Sequence, residues 1–346
     1  MIESPVMVAI LGCPNSLEVV VVVEVREFSE PAVQQIGSAA QRLAVAVGRA
    51  GDLAAVHEAE RRAARLDPAL ADECGRVGDG GVLVLRGMRM QDMPVGPTPA
   101  SWAQTPRGAT ALWDATLLLL ASVMGSAFGW RGQQDGRLVH DIVPSKGHEH
   151  EQTGASSSTV LSAHSEDAFH PDRADLLLLA CLRNHDAVPT RASSVRHVRL
   201  SPEDLALLKY PTLPILPDDS YSEADGSPAA PPAVATLWDG PRGLRIRYDP
   251  EYTPLEQAGE DYRAAYDRLT AELDRVAVDV TLQAGDVMVI DNDVAVHGRQ
   301  SFQARYDGTD RWLKRVSVRV PGRVRPAAEA TEHGYGQLLI DPHGAV

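Results

Sequence analysis

The sequence predicts a mainly β protein, a sandwich or barrel of short strands with helices packed against it. Two observations carry that expectation. After Gly129, short runs of aliphatic and β-branched residues alternate with turn-rich segments. Before it, alanine-rich stretches place apolar residues at helical spacing. A chain of 346 residues is long enough to bury a large core, as one big domain or two smaller ones.

In chain order, Pro31 to Arg65 ("AVQQIGSAAQRLAVAVG", then "DLAAVHEAERRAARL") fits two amphipathic helices. "GGVLVLRGM", Gly80 to Met88, reads as a short buried strand. "TPRGATALWDATLLLLASVMGSAFGW" returns to helical periodicity, with Thr105-Pro106 as its start. The helical part therefore spans about residues 26–128 and the β-rich part 129–320. Strands are expected at "RLVHDIVP", "ADLLLLACLRN", "LRIRYD", "VDVTL", "DVMVIDN" and "LKRVSVRV". A short helix is expected at "SPEDLALL" and a longer one at "PLEQAGEDYRAAYDRLTAELDRV". Between them, Leu216 to Ala233 is rich in Pro, Ser, Ala and acids and lacks apolar periodicity. It reads as a mobile surface loop, either a lid or an insertion.

Charge excludes some partners. Lys and Arg total 33 against 47 Asp and Glu, a net charge of −14, which argues against nucleic acid and anionic membranes. Three cysteines, Cys13, Cys74 and Cys181, are too scattered for a disulfide framework or a zinc module. The run "VVVVVEV" is far too short to span a bilayer and lacks the flanks of a signal peptide. A cytoplasmic location is the default.

Two stretches carry chemistry. In "LSAHSEDAFH" strand alternation would send His164 and Glu166 out on one face. In "AGDVMVIDNDVAVHGRQSF" an apolar strand leads through "DND" to His297. Two imidazoles and one carboxylate on a rigid β scaffold are what non-haem Fe(II) needs, with positions left open for a co-substrate and O2. Zinc hydrolysis uses the same ligand types, and H-x-E also arises as an ordinary strand end. Downstream, "RYDGTDRWLKRVSVRV" carries Arg311 into the next strand. A guanidinium there would clamp a dicarboxylate bidentately; otherwise Arg305, Arg311 and Arg315 are solvated edge residues.

"HSEDAFHP", "GDVMVIDNDVAVHGR" and "RYDGTDRWLKRV", in that order, resemble the clavaminate-synthase-like group of Fe(II)/2-oxoglutarate oxygenases. Within it the pattern is similar to the free-amino-acid β-hydroxylases of antibiotic pathways, arginine hydroxylases among them. The resemblance covers Gly80 to Val320, and "QQDGRLVHDIVPSKGHEHEQTGASSS" reinforces it. It implies a single oxygenase domain, residues 1–346, mainly β with flanking helices around a double-stranded β-helix (jelly roll) core. His164, Glu166 and His297 would bind Fe(II), with Asp167 facing away. Arg311 would hold the C5 carboxylate of 2-oxoglutarate, with Thr190 in "TRASSVR" as its partner.

For the substrate, the resemblance points to Gln133, with Gln134 as rival, and Glu166 for the α-amino group. Arg315 would lie near the α-carboxylate. Asp249 and Glu251 in "RYDPEY" would read a guanidinium, whose buried donors each need an acceptor. Asp-Pro is also a turn signal, so both acids fit an ordinary surface turn. The implied reaction is hydroxylation of a free basic amino acid, L-arginine at Cβ first, with 2-oxoglutarate decarboxylated to succinate. Lysine, capreomycidine or enduracididine are alternatives. A zinc metallohydrolase and a non-catalytic binding protein are more distant ones.

Overall fold

The computed structural model describes residues 6–11, 19–47, 53–74, 77–88, 95–218, 232–332 and 334–344. Its helices are α1 (Glu30–Val47), α2 (Leu53–Ala63), α3 (Pro68–Cys74), α4 (Arg107–Met124), α5 (Pro202–Lys209) and α6 (Glu260–Arg275). Its strands begin with β1 (Val6–Leu11), β2 (Val19–Glu27), β3 (Val82–Arg86), β4 (Ser126–Trp130) and β5 (His140–Ile142). β6 (Leu161–His164), β7 (Leu176–Arg183), β8 (Thr190–Ser194), β9 (Leu237–Gly240) and β10 (Gly243–Ile246) follow. The last five are β11 (Val278–Val280), β12 (Val287–Asp291), β13 (Ala295–Arg299), β14 (Trp312–Arg319) and β15 (Leu339–Ile340).

The larger sheet runs β1-β2-β3-β12-β7-β14-β4-β15, with β5 also paired to β14; the smaller runs β11-β8-β13-β6. Along the chain β5, β7, β12 and β14 join the larger sheet, while β6, β8, β11 and β13 join the smaller. This crossing back and forth is the jelly roll. A separate hairpin pairs β9 with β10.

Strand β7 shows why the sequence folds this way. Leu177, Leu179 and Cys181 meet Val278, Val280 and Met288 between the two sheets. Leu176, Leu178, Ala180 and Leu182 face the other way, into a cluster with Leu117, Leu119 and Ala121 of α4 and Leu43 of α1. Both faces are buried, so the strand reads as an unbroken apolar run. Helices α5 and α6 cover the smaller sheet through Leu208, Tyr266 and Leu269 against Val195 and Val296. On β14 the buried Lys314 bonds Asp114 of α4 at 2.7 Å and Asp141 of β5 at 2.8 Å, pinning helix to sheet.

Three expectations need correction. The helix expected to run to Trp130 stops at Met124, because a Cβ on Gly125 would sit 2.0 Å from Arg319 O; the chain instead enters β4 beside β14. The strand expected to carry both His164 and Glu166 ends at His164. The strand at "RLVHDIVP" is reduced to β5. Most of the Leu216–Ala233 loop, and Cys13, lie outside the described residues.

Gly298 has a packing role. A Cβ there would lie 2.4 Å from Leu161 O and 3.2 Å from Ala163 N, both backbone atoms of β6. Gly298→Ala should therefore cost about 1–3 kcal/mol of stability and weaken metal retention, because it pushes β13 from β6. Gly108, with nothing within 4 Å of its Cβ position, supplies the control Gly108→Ala. Calorimetry checks this; equal melting of wild type and Gly298→Ala would refute the packing argument.

Candidate active site

Strands β6 and β13 are antiparallel, with His164 directly opposite His297. Their ring centroids lie 4.6 Å apart. Past His164 the chain leaves the sheet: Ser165 N donates to Tyr248 O at 2.7 Å, and Asp167 adopts a left-handed φ of 53°. Trp130 Nε1 donates to Asp167 Oδ2 at 2.8 Å, holding that carboxylate towards Trp130. Glu166 is left beside the two histidines, its Oε2 3.4 Å from His297 Nε2. One ligand atom from each of His164, Glu166 and His297 lies within 4.8 Å of the others.

Asn292 fixes the Glu166 backbone. Its Oδ1 accepts from Glu166 N at 2.8 Å, and its Nδ2 donates to Glu166 O at 2.9 Å and to Ala174 O at 3.0 Å. The amide is fully buried in the "DND" turn between β12 and β13. Sequence reading passed over it. The polar turn itself was the available signal, since a buried amide must find partners.

Electrostatics suit a cation. His164 Nδ1 lies 2.8 Å from Ser162 O; donating its proton there leaves the Nε2 lone pair for a metal. Burial lowers the His297 pKa, which keeps the imidazole neutral. Burial alone would raise that of Glu166, but Arg315 and His297 outweigh it and hold the carboxyl well below the usual range. Two imidazoles, that of His297 kept neutral by burial, and a charged carboxylate on one face fit a divalent iron site with open positions.

Arg315 is a hub. It donates to Glu166 Oε1, to Gln133 Oε1 at 3.0 Å and to His140 Nδ1 at 2.8 Å. His140 Nε2 lies 2.9 Å from Arg137 O, and burial, with Arg315, pushes its pKa down to about 3. Gln134 is occupied elsewhere: its side chain exchanges two 2.9 Å bonds with the Asp141 backbone. The geometry thus separates Gln133 from its rival.

Arg311 is also buried. Its Nη2 donates to Thr190 Oγ1 at 2.8 Å, its Nε finds no acceptor, and it makes no carboxylate contact among the described residues. Burial pushes its pKa down to about 10. The nearby Arg299, which sequence reading missed, bonds Ser156 O at 3.0 Å and Ser157 O at 3.3 Å and stacks on Phe302.

These groups line one cavity of about 460 Å³, shared by His164, Glu166, His297, Gln133, Thr190, Arg311 and Arg315. Ile142, Leu161, Leu179 and Leu313 give it apolar walls, and Asp218 contributes a carboxylate. A larger groove of about 1570 Å³ lies against β2, α3 and Val320–Val324 and is lined by none of His164, Glu166 and His297.

Asp249 and Glu251 do not share a strand face. Asp249 Oδ1 accepts from Glu251 N at 3.1 Å and from Tyr252 N at 3.3 Å, so the acids span a turn. Glu251 is exposed and takes a 2.6 Å bond from Ser162 Oγ. Neither lines the cavity, although Asp249 lies near enough to His164 and Asp218 to feel their charge. Its pKa is pushed up to about 6, mainly by burial, with Asp218 adding to the shift and His164 opposing it.

Residues 107–317 match the taurine catabolism dioxygenase TauD, TfdA family. The chain belongs to this family. The dioxygenase is 38% identical over 261 residues to the enduracididine beta-hydroxylase of Streptomyces hygroscopicus, covering 69% of this chain and 76% of that protein. It is 34% identical over 258 residues to the L-ornithine/L-arginine 3-hydroxylase of Catenulispora acidiphila, covering 68% and 75%. The solved structure of the non-heme iron oxygenase OrfP, in complex with iron, succinate and (3S)-hydroxy-L-arginine, superposes with a TM-score of 0.75. Identity there is 37%, covering 85% of this chain and 94% of OrfP.

The Asn292 clamp makes a prediction. Asn292→Ala removes three hydrogen bonds around Glu166 and should weaken iron binding about 10- to 100-fold, as loss of a group that orients a ligand does. Equilibrium dialysis against Fe(II) measures it; unchanged affinity in the folded variant would show that Glu166 is positioned without Asn292.

Proposed function

We propose that this dioxygenase hydroxylates a free basic amino acid, L-arginine at Cβ, with Fe(II), 2-oxoglutarate and O2. The observation that carries the reading is Arg311, a buried cation with no carboxylate partner among the described residues, in the same cavity as the His164–Glu166–His297 cluster. A desolvated guanidinium needs an anion. A zinc hydrolase leaves that need unmet, whereas the distal carboxylate of 2-oxoglutarate meets it. The relatives named above act on enduracididine, ornithine and arginine, which extends the same reading to basic substrates. Enduracididine, capreomycidine and lysine remain substrates to compare.

In this assignment His164, Glu166 and His297 hold Fe(II), which couples decarboxylation of 2-oxoglutarate to insertion of one O2 oxygen into a substrate C–H bond. Arg311 and Thr190 bind the C5 carboxylate. Arg315 receives the substrate α-carboxylate, while Gln133 and the outer oxygen of Glu166 accept from its α-amino group. His140, neutral, accepts from Arg315 and holds it in place. Leu179 and Leu313 keep water from the reacting carbon. For the cationic end we assign Asp249 together with Asp218 rather than Glu251, because Asp218 lines the cavity and Glu251 is exposed. Two like charges held close together favour an incoming cation.

We place the catalytic unit across residues 1–346, the helical part 26–128 supporting the core 129–320. One apolar cluster joins Phe28 to Val318 across the two. We also place the enzyme in the cytoplasm, which suits the free, buried thiols of Cys74 and Cys181. No described helix is long and apolar enough to cross a membrane.

Arg311→Ala should raise the KM for 2-oxoglutarate about 30-fold or more while moving that for the amino acid far less. Loss of a desolvated charge-assisted contact costs roughly 2–5 kcal/mol. Steady-state kinetics with each substrate varied in turn decide it; an unchanged 2-oxoglutarate KM would return Arg311 to a structural role.

Substrate choice follows from the acids. Mass spectrometry of free amino acids incubated with enzyme, Fe(II) and 2-oxoglutarate should show a product heavier by one oxygen for arginine. Citrulline should react at least about 100-fold less efficiently, because it leaves carboxylates desolvated and unpaired. Asp249→Asn and Asp218→Asn should lower arginine turnover, while Glu251→Gln should not. Preference for an uncharged amino acid would overturn the substrate assignment and leave the oxygenase chemistry standing.

A further inference from the structure

Helix α2 carries His57 and Glu60 three positions apart, so both side chains leave the same face. The C-terminal segment beyond β15 brings His343 onto them, 283 residues away in sequence from Glu60. His343 Nε2 lies 2.7 Å from Glu60 Oε1, and His57 Nδ1 lies 3.6 Å from Glu60 Oε2. The two imidazoles meet edge to face at 5.4 Å. One ligand atom from each of the three residues falls within 4.8 Å of the other two. Apart from the catalytic cluster, this is the one such His/Cys/Asp/Glu group among the described residues.

We infer that His57, Glu60 and His343 form a second divalent-metal site, of the zinc class, that ties the C-terminal segment to helix α2. The donor chemistry selects the metal. Two imidazole nitrogens and one carboxylate suit Zn2+ and its first-row neighbours and not Ca2+ or Mg2+, which take all-oxygen shells. Tetrahedral zinc with bonds near 2.0–2.1 Å needs ligand atoms about 3.3 Å apart. The 2.7 Å from His343 to one Glu60 oxygen and the 3.6 Å from His57 to the other lie on either side of that spacing, and the partly exposed side chains have room to bring one oxygen to both imidazoles. Water would complete the coordination on the open side.

Glu60 is already oriented for the task, since Ser126 Oγ donates to its Oε1 at 2.9 Å. Without a metal, an exposed His–Glu pair is screened by solvent and holds a terminal segment only weakly. A bound cation would couple the segment to α2 more firmly. That segment matters to the fold: β15 pairs Leu339 with Trp130 and Ile340 with Gly129 of β4, and β4 leads directly to Gln133 in the active-site cavity.

The test uses full-length, tag-free protein stripped of metal by chelation and titrated with Zn2+ in a calorimeter. Wild type should take up two equivalents and His297→Ala one. His57→Ala and His343→Ala should each take up one while keeping Fe(II)-dependent turnover. Zinc should also raise the melting temperature of His297→Ala, and adding Glu60→Gln, which can still hydrogen-bond Ser126 and His343, should abolish that rise. Uptake of a single equivalent by wild type would overturn the site. So would two equivalents persisting in His57→Ala and His343→Ala, or a zinc-induced rise that survives Glu60→Gln.

Discussion

The placement of His297 opposite His164 is the constraint on which the site depends. Strand β13 is held on both sides, by β6 with His297 opposite His164 and by β8 in an unbroken five-residue register that sets Val296 opposite Ser193 and His297 opposite Ala192. A slip of one residue would turn His297 to the other face of the smaller sheet. Burial forbids it: Ala295 packs between the sheets while Val296 packs against the α6 side. The register that builds the core is therefore the register that pairs the two histidines. Gly298 lets the strands close to that distance, where any Cβ would meet the β6 backbone.

Glu166 answers to a different constraint, since it lies beyond the strand. Its turn is held by the "DND" sequence that joins β12 to β13. Asn292 takes the Glu166 backbone, while Asp291 and Asp293 anchor arginines from elsewhere in the chain. Arg323 bonds Asp291 at 3.0 Å, and Asp293 meets Arg173 at 3.1 Å and both Arg245 and Arg325 at 3.3 Å. Buried ion pairs add little net stability, because desolvation offsets attraction, yet breaking one leaves an uncompensated charge. Their effect here is on geometry. The turn that presents His297 also fixes Glu166, so the cluster is held from two directions at once.

Much of this was legible in the sequence. The unbroken apolar run of β7 announced a strand buried on both faces, and the two histidine-bearing motifs do come together in one cluster. What escaped detection shares a physical origin. Strand alternation put Glu166 beside His164 for the wrong reason: the strand ends, and a left-handed Asp167 with Trp130 and Asn292 does the placing. Asp249 and Glu251 looked like neighbours on a strand, but they span a turn in which one oxygen of Asp249 accepts from the turn's own amides. Gln133 and Gln134 are indistinguishable in composition, and only the Asp141 backbone separates them. His140, Arg299 and Asn292 act through partners far away in the chain. Local periodicity carries no information about such contacts.

Arg299, Arg311 and Arg315 of the cavity show how burial sorts residues of one type. Arg299 is satisfied by the backbone carbonyls of Ser156 and Ser157, an arrangement that neutralises hydrogen-bonding demand without a counter-charge. Arg315 already holds Glu166, Gln133 and His140, so an incoming carboxylate must share it with groups that also face the metal. Among the described residues Arg311 has Thr190 alone. A dicarboxylate entering this cavity gains most by sending one end to Arg311, where no existing contact is displaced. A zwitterion gains by meeting Arg315, where Gln133 and Glu166 supply acceptors for its ammonium beside the cation for its carboxylate. The proposed pairing of each ligand with its arginine thus rests on the different surroundings that burial gives each guanidinium.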